Sequence, residues 1–202
     1  MLQTVSPIAG QASTKDALKE WAVTIKALDE GKQVFLLRKG GIREKEFKLL
    51  HDVFLLYPSY EHQKSELLKP EYHSDLVETL APWGGVVPSA SPPEISFTHV
   101  AHVTDVVETL DPTAVEALAP HFIWTTEYAE KRLYWRPFKP LEVLFVRAYR
   151  LAQPVTVAVT PYFLGCKSWV DLPDDVSLAG AIPVIDDATY QARTAEILAA
   201  LP

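Results

Sequence analysis

Cysteine is almost missing from this chain of 202 residues, where Cys166 stands alone. That excludes a disulfide framework and the paired-cysteine motifs of structural zinc sites, and it fits a reducing, cytoplasmic setting. Long apolar runs are missing as well. No segment approaches the roughly 18 consecutive apolar residues of a membrane helix, and residues 1–10 have neither the basic start nor the apolar stretch of a secretory signal. No stretch is low in complexity and no repeat recurs, while 48% hydrophobic and 22% charged residues give an ordinary globular balance. Lysine and arginine are absent from 81 to 129, and the whole chain carries a net charge of −7. That balance argues against a protein that coats nucleic acid by bulk electrostatics.

The bases that are present fall in two clusters. Residues 32–48 hold Lys32, Arg38, Lys39, Arg43, Lys45 and Lys48 against Glu44 and Glu46. Residues 130–150 hold Lys131, Arg132, Arg136, Lys139, Arg147 and Arg150 against Glu130 and Glu142. From residue 171 onward, Arg193 is the only base among six acids. If the two clusters meet in space they make one phosphate-attracting face; if they do not, they are solvated edges.

Apolar spacing predicts a helix over 15–30, capped by Ser13 or Thr14 and stopped by Gly31, with Ala17, Leu18, Trp21, Ala22, Ile25 and Leu28 on one stripe. Residues 33–38 read as a buried strand, followed by a turn at Gly40 and Gly41. Residues 46–50 continue as a strand, and 52–57 form another that Pro58 closes. Helical spacing returns over 61–80 with a break near Pro70, and 82–93 is a turn-rich connection. Residues 95–107 form the longest β-like stretch, apolar on both parities. Asp111-Pro112 opens a short helix, Thr125 or Thr126 another, 141–149 and 155–159 are strands, and Asp187 caps a C-terminal helix. Several strands are joined by connections too short for parallel crossovers, which predicts an α+β fold with a mostly antiparallel or barrel-like sheet. One domain is expected over 1–202, with a core at about 15–172 and an acidic terminal segment over 173–202.

Candidate chemistry concentrates in a few places, each with a purely structural alternative. Arg38, Lys39 and Arg43 surround the flexible Gly40-Gly41 turn, where backbone amides can approach a phosphate or a carboxylate; a solvated hairpin turn has the same composition. Tyr57, Tyr60, Glu61, His62 and Gln63 follow a buried strand and could stack on a base, read its edges or supply an acid–base pair, or could simply start a helix. Trp124, Tyr128, Tyr134 and Trp135 interleave with Arg132 and Arg136, a pattern suited to stacking with phosphate neutralisation, although large aromatics also build cores. Cys166 sits in a compact turn beside Lys167 and is either a nucleophile or a packing residue. His99 and His102 lie on opposite parities of one strand and cannot share a pocket in a regular strand. With no helical histidine motif present, no metal and no cofactor is expected. Glu46-Phe47-Lys48 matches half of a restriction-type nuclease site, but the upstream acids Asp29 and Glu30 fall at a predicted helix end.

Three runs carry a resemblance: Ala17 to Ala22, Gly31-Lys32-Gln33 through Leu37-Arg38-Lys39-Gly40-Gly41-Ile42, and Phe54 through Tyr57-Pro58-Ser59-Tyr60-Glu61-His62-Gln63. With Gly165-Cys166-Lys167-Ser168-Trp169, they resemble the uncharacterised bacterial family called domain of unknown function 1802, over about residues 15–172. That resemblance implies no activity. More distantly the chain is similar to the PUA-like superfamily and its ASCH branch. Gly31, Lys32 and Arg38 match the first ASCH motif, 54–57 its second strand, 100–107 its third and 141–154 its closing strand. Gln33, Val34 and Leu36 replace the second Lys, the Thr and the Glu of that motif, which weakens any transfer of the catalysis ascribed to ASCH hydrolases. The resemblance implies a small PUA-like β-barrel with flanking helices and a cleft able to hold RNA or a modified base.

The expectation is therefore a non-catalytic binder of RNA or of a nucleobase-containing ligand through Arg38, Lys39, Gly40, Gly41, Arg43, Tyr57, Tyr60, Glu61, Gln63, Arg132 and Trp135. The first alternative is a hydrolase of nucleic acid or a modified nucleoside, with Lys39, Glu61 and His62 as acid–base groups. The second is a protein-interaction module that uses the acidic C-terminal helix.

Overall fold

In the computed structural model, which describes residues 8–39 and 46–202, the chain opens with a strand, β1 (Ser13–Trp21), and only then turns into a helix, α1 (Ala22–Asp29). The helix expected from residue 15 is thus half strand. Ala17 and Leu18, neighbours in sequence, are both fully buried because β1 lies between two other strands and packs on both faces. The apolar spacing fits that arrangement as well as it fits a helical stripe, and tertiary burial decides between them. Neither Ser13 nor Thr14 caps α1; its first turn is satisfied by the buried Gln63, whose Oε1 accepts from the Val23 N–H at 3.1 Å. The predicted stop is present. Gly31 sits at φ +65°, its N–H bonds to Leu28 O and the Lys32 N–H to Ala27 O, the two bonds of a Schellman end.

The remaining elements are β2 (Phe35–Arg38), β3 (Val53–Ser59), α2 (His73–Thr79), β4 (Glu94–Thr109), α3 (Pro112–Leu118), α4 (Thr126–Tyr134), β5 (Leu141–Ala158), β6 (Trp169–Ser177), β7 (Ile182–Pro183) and α5 (Asp187–Ala200). Asp111 and Thr125 cap α3 and α4 as expected, whereas α5 is capped by Asp186, one residue earlier than its sequence indicates. Between Glu61 and Leu80 the helical pattern resolves into short 3-10 turns and α2, because Pro70 interrupts it. No helix among the described residues is long and apolar enough to cross a membrane.

The strands form one sheet in the order β2-β5-β4-β3-β1-β6, with β7 beside β5. Among the described residues only β1–β3 is parallel. The long β4–β5 ladder has two register shifts, at Phe97/His99 and Val103/Asp105, and such bulges bend a sheet. The fold is α+β, but the expected barrel does not close: among the described residues the hydrogen-bonded path ends at β2 on one side and β6 on the other. Residues 46–50, read from sequence as strand, have no strand structure. Phe47 wedges there, stacked on Trp169 of β6 at 6.1 Å and covered by the Arg38 guanidinium of β2 at 5.0 Å, while Trp169 Nε1 donates to Lys48 O. A side-chain plug thus takes the place of a ladder.

Alternate residues of the strands divide the core. Phe35, Leu37, Val143 and Phe145 face the helices with Phe122, Trp124, Tyr190 and Ile197. Leu18, Leu36, Phe54, Leu56, Leu144 and Val146 meet Phe47 in a second cluster. Leu55, Tyr57, Ile95, Phe97 and Val170 build a third at the far end of the β4–β5 ladder.

Candidate cleft at the open side of the sheet

Where the ladder fails to close, the ends of β1, β2 and β3 meet α4 and the 165–168 turn around a polar cleft of about 280 Å³. Arg38 ends β2 and ties its neighbours together: Nη1 donates to Lys19 O at 3.1 Å and to Glu20 Oε2 at 3.2 Å. Glu20 Oε1 accepts from the Trp21 N–H, so both carboxylate oxygens are engaged. The next residue, Lys39, is 6% exposed and donates to Leu133 O. Burial, then the nearby Arg132 guanidinium, lowers its pKa from the ordinary lysine value. Arg132 reaches back from α4, with Nη1 to the Tyr128 hydroxyl at 2.9 Å and Nη2 to Leu37 O at 3.3 Å. The two basic segments of the sequence therefore meet on one wall.

The opposite wall carries Lys19 and Lys167. Lys19 Nζ donates to Phe163 O and to Gly165 O, 5.3 Å from the centre of the Tyr57 ring. Burial lowers its pKa, an effect that Glu61 opposes and Lys167 reinforces. The ammonium of Lys167 lies 3.9 Å from the Tyr162 ring centre, and Cys166 beside it is an exposed free thiol. Glu61, held by the Ser91 hydroxyl at 2.5 Å, and His62 complete this side. Aromatic surface comes from Trp21, stacked with Tyr128 at 5.4 Å and 23°, and from the almost fully buried Trp124.

Arg38, Lys39, Glu61, His62 and Arg132 are thus brought to one cleft. Other expected ligand residues lie elsewhere. Tyr57 is buried against Phe97 and Phe163, and burial raises its phenol pKa to about 12. Tyr60 packs on Trp83 at 4.3 Å, with Tyr57 beside it at a small neighbouring recess. Gln63 is the buried cap of α1, and the half-exposed Trp135 follows α4 outside the cleft lining. Gly40, Gly41 and Arg43 lie outside the described residues. Sequence reasoning missed Lys19, Glu20 and Trp21 as site residues because their segment reads as helix. Lys19 and Trp21, two apart and so on one face of a strand, were the signal available.

The remaining candidates sit in separate networks. Asp29 binds His99 Nε2 at 2.8 Å and Arg150 Nε at 2.5 Å, whereas Glu46 pairs with Lys139 at 2.5 Å. The half nuclease motif therefore does not join the upstream acids, and among the described residues no three His, Cys, Asp or Glu side chains group to hold a metal.

The family model described as domain of unknown function (DUF1802) matches residues 17–196. No curated protein matches the sequence. Among solved structures, a mutant of the ASCH protein from Zymomonas mobilis is 12% identical with a TM-score of 0.41, covering 80% of this chain and 91% of that one. The unmutated ASCH protein of the same organism is 12% identical with a TM-score of 0.39, covering 93% and 95%.

Proposed function

We propose that this chain, which belongs to the DUF1802 family, binds RNA or another nucleobase-containing anion in the cleft at the open side of its sheet. One observation carries the reading: in a protein of net charge −7, Lys19, Arg38, Lys39, Arg132 and Lys167 converge on one cleft, against Glu20 and Glu61 among the described residues. Such a local excess of cations focuses field lines and raises the concentration of anions at the cleft. Trp21 and Tyr128 add π-faces on which a base can stack, and stacking is worth about 1–3 kcal/mol per base. Lys167 is the cation to test, since Arg38 and Arg132 also hold the fold together. Titration with short single-stranded RNA, single-stranded DNA and duplex at two salt concentrations, followed by tryptophan fluorescence, should give salt-sensitive binding. Lys167→Ala should lower the slope of log affinity against log salt by roughly 0.7–0.9, the value of one lost phosphate contact. An unchanged slope would remove Lys167 from phosphate binding.

A hydrolytic reading is supported by one fact, that Lys39, Glu61 and His62 all line this same cleft. If it holds, strands or modified nucleosides are consumed when magnesium is present or absent, and Glu61→Gln abolishes turnover with the fold intact. Turnover indifferent to that change removes Glu61 as the base.

A further inference from the structure

The wall made by Lys39, Arg132 and Trp124 has a charge and donor balance that the protein itself leaves unmet. Neither Lys39 nor Arg132 forms an ion pair among the described residues; their bonds go to the carbonyls of Leu133 and Leu37 and to the Tyr128 hydroxyl. The carboxylate among the described residues of this wall, Glu20, bonds to Arg38 and the Trp21 N–H and acts on Arg132 only through its charge. Two N–H donors on this wall, Trp124 Nε1 and Arg132 Nε, are buried without any acceptor, and Trp124 as a whole is only 3% exposed. Buried polar groups in folded proteins are nearly always paired, and an orphaned donor needs an explanation. Three adjacent cations, Arg38, Lys39 and Arg132, against the single carboxylate of Glu20, together with orphaned donors, are what an oxyanion site looks like when it is built from side chains.

We infer that this wall is the subsite for a phosphomonoester, so that the cleft takes one nucleotide, free or at the end of a strand, rather than the interior of an oligonucleotide. The inference rests on the nucleobase-binding reading and narrows it. Arg38, Lys39 and Arg132 against Glu20 leave an excess of two positive charges on this wall, which matches a monoester, carrying close to two negative charges at neutral pH, better than a backbone diester, which carries one. The cleft volume of about 280 Å³ lies at the lower end of small-molecule sites, whereas single-strand grooves that track a backbone hold several nucleotides. The lowered pKa of Lys39 points the same way, because a bound dianion would restore the charged amine that burial and Arg132 disfavour.

Calorimetric titration of the full chain at pH 7.5 tests this with nucleoside 5′- and 3′-monophosphates, the parent nucleosides, a dinucleoside monophosphate bearing only an internal diester, and inorganic phosphate. The monophosphate of at least one base should bind ten-fold or more tighter than both its nucleoside and the dinucleoside. Inorganic phosphate should compete with it, more weakly if the base contributes. Trp124→Phe, which removes the N–H and keeps an aromatic ring, should weaken the monophosphate about five-fold and leave the nucleoside unchanged. Equal binding of nucleoside, monophosphate and diester overturns the subsite while leaving the nucleobase reading in place. Inorganic phosphate binding as tightly as any nucleotide keeps the subsite and overturns the nucleobase reading. No binding of any of them overturns both.

Discussion

Glu142 of β5 stands across the ladder from Glu108 of β4, two like charges in register, with Arg38 of β2 on its other side. Burial, then the Glu108 carboxylate, raises the Glu142 pKa to about 7, Glu46 adding to the effect and Arg38 opposing it. The folded state therefore holds this proton more tightly than the unfolded chain does, where the pKa is 4.5. The stabilisation is fully present below about pH 4.5 and is lost as pH rises through about 7. Because the side chain is partly solvated, the loss is on the order of 1 kcal/mol. Glu108→Gln should raise the urea midpoint at pH 8 and change it little at pH 5; an equal gain at both would show that the pair is not the cause. Residue identity made the basic clusters and the Glu61-His62 pair legible. It could not reveal that Tyr57 and Gln63 spend their side chains on the core, since the same residue types serve either purpose.

At the scale of elements, the end of α1 is the sharpest case of agreement between sequence and structure. Gly31 combines the left-handed φ of the Schellman end with a close approach: a Cβ built there lies 2.6 Å from Ile185 Cγ2. Gly31→Ala should then cost about 2–4 kcal/mol, from the left-handed penalty plus overpacking, and a thermal or urea melt measures it directly. A loss below about 1 kcal/mol, the bottom of the range for overpacking alone, would mean that the segment at Ile185 yields easily. Elsewhere, local signals and the fold diverged for physical reasons. Caps and turns at Asp111, Thr125 and Gly31 were readable because they depend on neighbours in sequence. β1 was not, because burial on both faces of a strand and the stripe of a helix leave similar apolar patterns. Residues 46–50 were misread because Phe47 is apolar as a plug between sheet edges, not as part of a ladder.

For the whole molecule, the acidic C-terminal helix is part of the structure. Tyr190, Thr194 and Ile197 of α5 are buried against the helical side of the core, the Tyr190 hydroxyl meets Thr104 at 2.7 Å, and Arg193 bonds to Gly31 O. A cut after Asp171 would moreover divide β6 and remove the buried Leu172 and Val176. Ending the chain at Ile185 is expected to cost about 3–6 kcal/mol from the loss of Tyr190 and Ile197 burial alone, a large part of ordinary stability. A truncated chain with an unchanged urea midpoint would show that α5 adds nothing to the core.

By itself the sequence determined what depends on composition and on near neighbours: an α+β chain, its family resemblance, segregated charge, the caps, and most strand positions. Tertiary structure alone decided that residues 13–21 are strand, that the sheet stays open between β2 and β6, and that Arg38 and Lys39 meet Arg132. Those outcomes depend on which surfaces remain to be buried once distant segments pack, and on Lys39 and Arg132 each being brought within hydrogen-bonding reach of the other's segment of backbone. Among the described residues β2 and β6 do not pair and Phe47 stands between them, a relation between separated elements that no local pattern encodes.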